Sequence, residues 1–145
     1  MSSDKPQLNM VVAVGAGGNI GPRNGLPIFR DPEEGKEFRD WFMEMSAGGI
    51  CIVGSHTFQM MMQTGWPGPD KDHPVAIWTR MMGLTPDKFF ETLCRENKPM
   101  FLIGGEKTYQ AFMPYVTQFF IRRAELIGPA GCHLPPLFGT TNRSH

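Results

Sequence analysis

The stretch Met100-Phe101-Leu102-Ile103-Gly104-Gly105-Glu106-Lys107-Thr108-Tyr109 sets the fold class. Its four leading apolar residues suit a strand covered on both faces, two glycines end that strand, and the segment from Glu106 to Phe112 reads as a helix stopped by Pro114. A unit of the same design stands upstream at Gly49-Ile50-Cys51-Ile52-Val53-Gly54-Ser55-His56-Thr57, where Ser55 is a reasonable N-cap for a short methionine-rich helix. Strand, glycine turn and helix, used twice, predict an α/β protein built on a mostly parallel sheet.

Working outward, Asn9-Met10-Val11-Val12-Ala13-Val14 reads as a central strand ended by Gly15. Asp31-Pro32-Glu33-Glu34 supplies an N-cap acid and a proline at the first helical position, and Gly48-Gly49 marks the end of that helix. Within it Phe38, Trp41, Phe42 and Met45 form one apolar stripe facing the sheet, with Glu37 at its margin. Val75-Ala76-Ile77-Trp78-Thr79 is the third strand, Thr85-Pro86 starts a helix carrying Phe89, Phe90 and Leu93, and Gln118 to Ala124 is the fifth strand. Residues 126–145 show no periodicity and read as an irregular tail, so the expectation is one domain over residues 1–145 with about five strands flanked by helices.

Composition narrows the function. With 14 basic and 14 acidic side chains in 145 residues the formal net charge is zero, and no basic excess favours nucleic acid. No apolar run approaches the roughly 18 residues of a membrane span. Three cysteines at wide spacing and the start Met1-Ser2-Ser3-Asp4-Lys5-Pro6-Gln7 fit a reduced, cytoplasmic setting. Neither C-x-x-C nor H-E-x-x-H occurs and Cys132-His133 has no partners at ligand spacing, so no metal site is expected. Small-molecule chemistry is the remaining class.

Parallel strands put the turns after Val53 and after Ile103 at one sheet edge, where helix N-termini bind phosphate; Lys107, His56 and Arg80 add positive or titratable groups. Gly15-Ala16-Gly17-Gly18 is not a dinucleotide fingerprint, because Ile20 stands where the third glycine belongs. Glu37, one turn before Trp41 and beside Phe38, is the carboxylate best suited to proton donation if the stripe desolvates it.

These residues resemble the dihydrofolate reductase family. Ile20-Gly21-Pro22-Arg23-Asn24-Gly25-Leu26-Pro27 is similar to its I-G-x-x-N-x-x-P loop, and Glu37-Phe38-Arg39-Asp40-Trp41-Phe42 to its helix-borne acid with following aromatics. Val53 to Phe58 is similar to its M-G-x-x-T-[WF] turn, and Leu102 to Tyr109, followed by Phe112 and Pro114, to its I-G-G-x-x-x-Y segment. The likeness runs from about Met10 to Pro135 and is weak between Phe58 and Met100. It implies that NADPH gives hydride to C6 of dihydrofolate or a related pterin while Glu37 holds the ring and helps deliver a proton to N5. It further implies that Val11, Ala13, Leu26, Phe38, Trp41, Ile103 and Tyr109 line the pterin and nicotinamide pockets, Leu26 on a loop that closes over the site. Ala13, Ile20, Gly21, Asn24, Gly54, Ser55, His56, Thr57, Trp78, Thr79, Arg80, Gly104, Gly105, Glu106, Lys107 and Thr108 are the cofactor residues it implies.

Several positions depart from the family pattern. Ile28 replaces a tryptophan after the loop proline, and extra residues separate Pro27 from Glu37; if that insertion lies elsewhere, Glu33 or Glu34 is the acid. Arg122 stands where a threonine normally bonds the acid, so it would depress the acid's pKa or contact substrate. Ser55 replaces a cation for the cofactor's 2′-phosphate, with Arg80 as the available substitute, and only Lys71 and His73 are near the usual carboxylate clamp. The C-terminal strand hairpin is missing, which leaves the fifth strand open to a second copy or to the tail. Altered pocket residues suggest reduced antifolate sensitivity. The competing expectations are a non-catalytic nucleotide- or partner-binding protein and a reductase of another pterin or pyrimidine.

Overall fold

A computed structural model describes residues 7–15, 19–21, 28–64, 66, 69–124, 126–127 and 132–133. Strands β1 (Leu8–Val14), β4 (Ile50–Gly54), β5 (Val75–Trp78), β6 (Met100–Gly104) and β7 (Gln118–Arg123) form one sheet in the order β5-β4-β6-β1-β7. Every pairing in it is parallel, so all five strands point their C-terminal ends to the same edge. This is the α/β architecture expected, with the unbroken apolar runs in β1, β4 and β6 at the centre, where both faces are covered.

Strand alternation sorts those runs into two cores. Leu8, Met10, Val12, Ile50, Ile52, Met100 and Leu102 pack with Phe89 and Phe90 of helix α3 (Pro86–Cys94) and Tyr109 and Phe112 of helix α4 (Glu106–Phe112). Val11, Ala13, Cys51 and Phe101 point the other way, onto Phe38 and Phe42 of helix α1 (Pro32–Ser46). Helix α2 (Ser55–Gln63) joins the α1 side through Phe58 and Met61.

The start signals act as local chemistry requires. The Asp31 carboxylate accepts the Glu33 N–H at 3.0 Å with Pro32 at the first helical position, and Thr85 Oγ1 accepts the Lys88 N–H at 3.2 Å. Ser55 is not a cap: α2 begins on it, and Gly54 occupies the cap position with no side chain to offer. The third strand stops at Trp78, because Thr79 turns to cap a single 3₁₀ turn, Arg80–Met82, through the Met81 N–H at 3.3 Å.

The tail is less irregular than its composition suggests. Strand β8 (Leu126–Ile127) pairs antiparallel with β3 (Ile28–Phe29), and β9 (Cys132–His133) with β2 (Asn19–Gly21). Ladders of two or three residues rest on backbone groups and leave no side-chain period to read. The chain after β7 therefore turns back beside the segments that follow β1, and β7 remains the outer strand of the main sheet. No helix among the described residues is long and apolar enough to cross a membrane.

Candidate active site

Because β4 and β6 are parallel neighbours, their two glycine turns meet at one edge. A Cβ on Gly54 would lie 2.6 Å from Thr108 Oγ1, 3.7 Å from the Gly104 carbonyl oxygen and 3.8 Å from the Gly105 nitrogen, so the contact requires glycine. Gly104 has φ +133°, a value that also selects glycine, and the Gly104–Gly105 peptide is cis. The amides opening α2 have no side-chain cap and are left for another acceptor. Gly54→Ala is expected to lower the unfolding free energy by about 1–3 kcal/mol, since buried Thr108 must move aside. Urea denaturation checks it, and wild-type stability would contradict the tight contact.

Beside this edge runs an open groove of about 430 Å³ lined by Trp78, Leu84, Pro86, Lys107, Gln110 and Ala111. It joins the apolar Leu84, Pro86 and Ala111 to the polar Lys107 and Gln110, a combination suited to a heterocycle carrying negative charge. Trp78 is 7% exposed, and its indole N–H is buried without an acceptor among the described residues. Of the other expected cofactor residues, Thr57 and Thr108 are buried, Ser55, Thr79, Gly105 and Glu106 are half-buried, and His56 is exposed. Asn24 and Leu26 lie outside the described residues, as do the side chains of Ile20, Ile28 and Arg80.

On the α1 side, Val11, Ala13, Phe38, Trp41 and Ile103 come together in one hydrophobic cluster. The Phe38 ring centroid is 5.5 Å from those of both Phe29 and Trp41. Arg122, paired in register with Ala13, rests its guanidinium 5.0 Å from the Trp41 centroid. That is a cation–π seat.

Two of the expected pocket residues stand apart from this cluster. Glu37 is exposed, so no desolvated acid stands there; the buried line of α1 is Gly35, Phe38, Phe42 and Ser46, and Glu37 precedes Phe38 by one residue, a turn of about 100° around the helix. Glu34 is half-buried, one turn before Phe38 on the flank that carries Trp41. Tyr109 is 4% exposed on the opposite side of the sheet, where its hydroxyl approaches the carbonyls of Val11, at 2.9 Å, and Ile103. It binds two strands together, and burial pushes its phenol well above the usual range.

Between α1 and α2 lies a narrow apolar pocket walled by Phe42, Val53, Phe58, Met61, Trp66 and Ile103. Cys51 beneath it is pushed up to about 11 by burial and stays a neutral thiol. At its rim His73 bonds the Met43 carbonyl and the Asp70 carboxylate, while Lys71 is exposed in the same loop, apart from the Arg122 side of the sheet.

Leu84, Gln110 and Ala111 in the groove, and Phe58, Met61 and Trp66 in the pocket, were not legible as site residues. Met61 lay within a run, Met60-Met61-Met62, whose composition signals packing alone.

The family model described as dihydrofolate reductase matches residues 7–137. Among curated proteins, dihydrofolate reductase type 9 of Escherichia coli is 28% identical over 136 residues, an alignment covering 82% of this chain and 71% of that protein.

Proposed function

The chain belongs to the dihydrofolate reductase family, and from that premise we propose that it reduces 7,8-dihydrofolate, or a closely related dihydropterin, at the expense of NADPH. The observation that supports this reading most strongly is the meeting of the Gly54 and Gly104–Gly105 turns beside the Trp78–Lys107 groove.

The residues present fit the cofactor. The uncapped amides of α2 suit a pyrophosphate, and Lys107 offers the cation for a 2′-phosphate that Ser55 does not. When bound, NADPH supplies the hydride for C6 of the pterin. Val11, Ala13, Phe38 and Ile103 form the apolar cluster on the α1 side against which that ring would pack, keeping water from the reacting face. Glu34, on the Phe38–Trp41 flank, is the carboxylate of α1 best placed to hold the ring and pass a proton toward N5. Arg122, seated on Trp41, lies on the β7 side of the cluster. Its place beside Trp41, where the family has a threonine, supports weakened inhibition by antifolates.

A second reading, a nucleotide- or partner-binding protein on the same fold, is favoured by Phe38 filling the buried position of α1 and by the exposure of Glu37. Calorimetric titration with NADPH and NADH, followed by NADPH oxidation on adding dihydrofolate, separates the two. The reductase binds NADPH more tightly and oxidises it only when the pterin is present. A binding protein stops at the first step.

A further inference from the structure

His73 stands in the loop ahead of β5 with its side chain 17% exposed and an acceptor at each ring nitrogen. Nε2 lies 2.8 Å from the Met43 carbonyl oxygen, near the C-terminal end of α1, and Nδ1 lies 2.9 Å from Asp70 Oδ1. A carbonyl has no proton to give. The same Asp70 oxygen accepts the Asp72 N–H at 2.9 Å, as an ionised carboxylate does. A neutral imidazole carries a single N–H and satisfies just one of these partners; the imidazolium satisfies both.

We propose that His73 is a positioning residue, a doubly protonated ring that rivets residues 70–74 to α1 and so fixes the rim of the narrow apolar pocket between α1 and α2, on the side of the sheet where the reductase reading puts the pterin. The last clause rests on the reductase reading; the rivet does not. Met43, Trp66, Pro69 and Val75 line the same pocket as His73. The loop it holds also carries the Gly48 N–H to Asp72 carbonyl bond at 2.8 Å and the Cys51 N–H to Pro74 carbonyl bond at 3.0 Å. Freeing the loop therefore loosens the entry of β5 onto β4 and one wall of the pocket together.

The charges facing the ring are Asp70 and Asp72, both in its own loop. Helix α1 presents a carbonyl, α2 and β6 present Phe58, Met61 and Ile103, and β4 presents Val53 and the neutral Cys51 thiol. The Met43 carbonyl first, then Asp70 and Asp72, raise the imidazole above its ordinary 6.5, against the opposing effect of burial. Since the folded-state value is raised, the stabilising contribution is complete below 6.5 and is lost as pH rises through the raised value.

The test is a nitrogen-detected NMR titration of the full chain, with His73→Gln assigning the signal and the ordinary imidazole value of 6.5 as reference. It is paired with KM and kcat for dihydrofolate across the same pH range. Expected are two ring protons on His73 at mildly acidic pH, a titration above 6.5, a shift back toward it in Asp70→Asn, and a KM rising about fivefold through the titration while kcat holds. A single ring proton, or a titration at or below 6.5, overturns the rivet. A confirmed imidazolium with a flat KM overturns its role at the pocket. Absence of turnover overturns the reductase reading and leaves the ring titration, with Trp66 fluorescence reporting on the pocket rim, to decide the rivet.

Discussion

Phe112→Ala is expected to lower the unfolding free energy by about 3–5 kcal/mol. The side chain is fully buried at the last position of α4, with its ring edge-on to Trp78 at 5.5 Å and against Phe89 and Tyr115 at 5.7 and 6.4 Å. Truncation removes the transfer free energy of a phenyl group and leaves a hole that rigid aromatic neighbours cannot refill. Because Trp78 also lines the groove, nucleotide affinity should fall along with stability. Urea denaturation with an unchanged m-value reads the first effect. Met81→Ala, at a residue 93% exposed, is the control expected within about 0.5 kcal/mol of wild type. A loss below about 1 kcal/mol at Phe112 would mean that α4 does not pack as described.

Glu34→Gln is the second large effect, a fall in turnover of about 10²–10⁴ with the fold intact. The amide keeps the size of the side chain and removes the transferable proton. Glu34 is half-buried, whereas Glu37 is exposed, so Glu37→Gln should turn over close to the wild-type rate. Steady-state rates of both variants at one pH, beside melting curves showing equal folding, are the check. The reverse order would return the acid to Glu37 and require α1 to rotate when ligands bind. Equal activity in both variants would remove the carboxylate from the mechanism.

The fold was readable because its strongest signals are local. Uninterrupted apolar runs in β1, β4 and β6 can be satisfied only at the centre of a sheet, and Asp31-Pro32 and Thr85-Pro86 cap the helices they announce. The meeting of the two glycine turns follows from the same logic once the strands are parallel. What could not be read depends on angles and distances between elements. The phase of Glu37 against the sheet differs from that of Phe38 by one residue, and an acid beside aromatics in sequence says nothing of which one turns inward. Tyr109 falls in the expected motif, yet its hydroxyl is used on backbone carbonyls of β1 and β6. The His73–Met43 contact joins residues 30 apart, with no spacing rule to suggest it. The pairings of β8 and β9 are too short to leave a pattern.

The most direct test of the central claim is the stoichiometry of NADPH consumption by the purified full chain supplied with 7,8-dihydrofolate, with the product identified by mass. The account predicts one NADPH oxidised per tetrahydrofolate formed and no consumption without the pterin. NADPH bound tightly in the groove but never oxidised, with dihydrofolate recovered unchanged, would contradict it and leave a nucleotide-binding protein on a reductase fold.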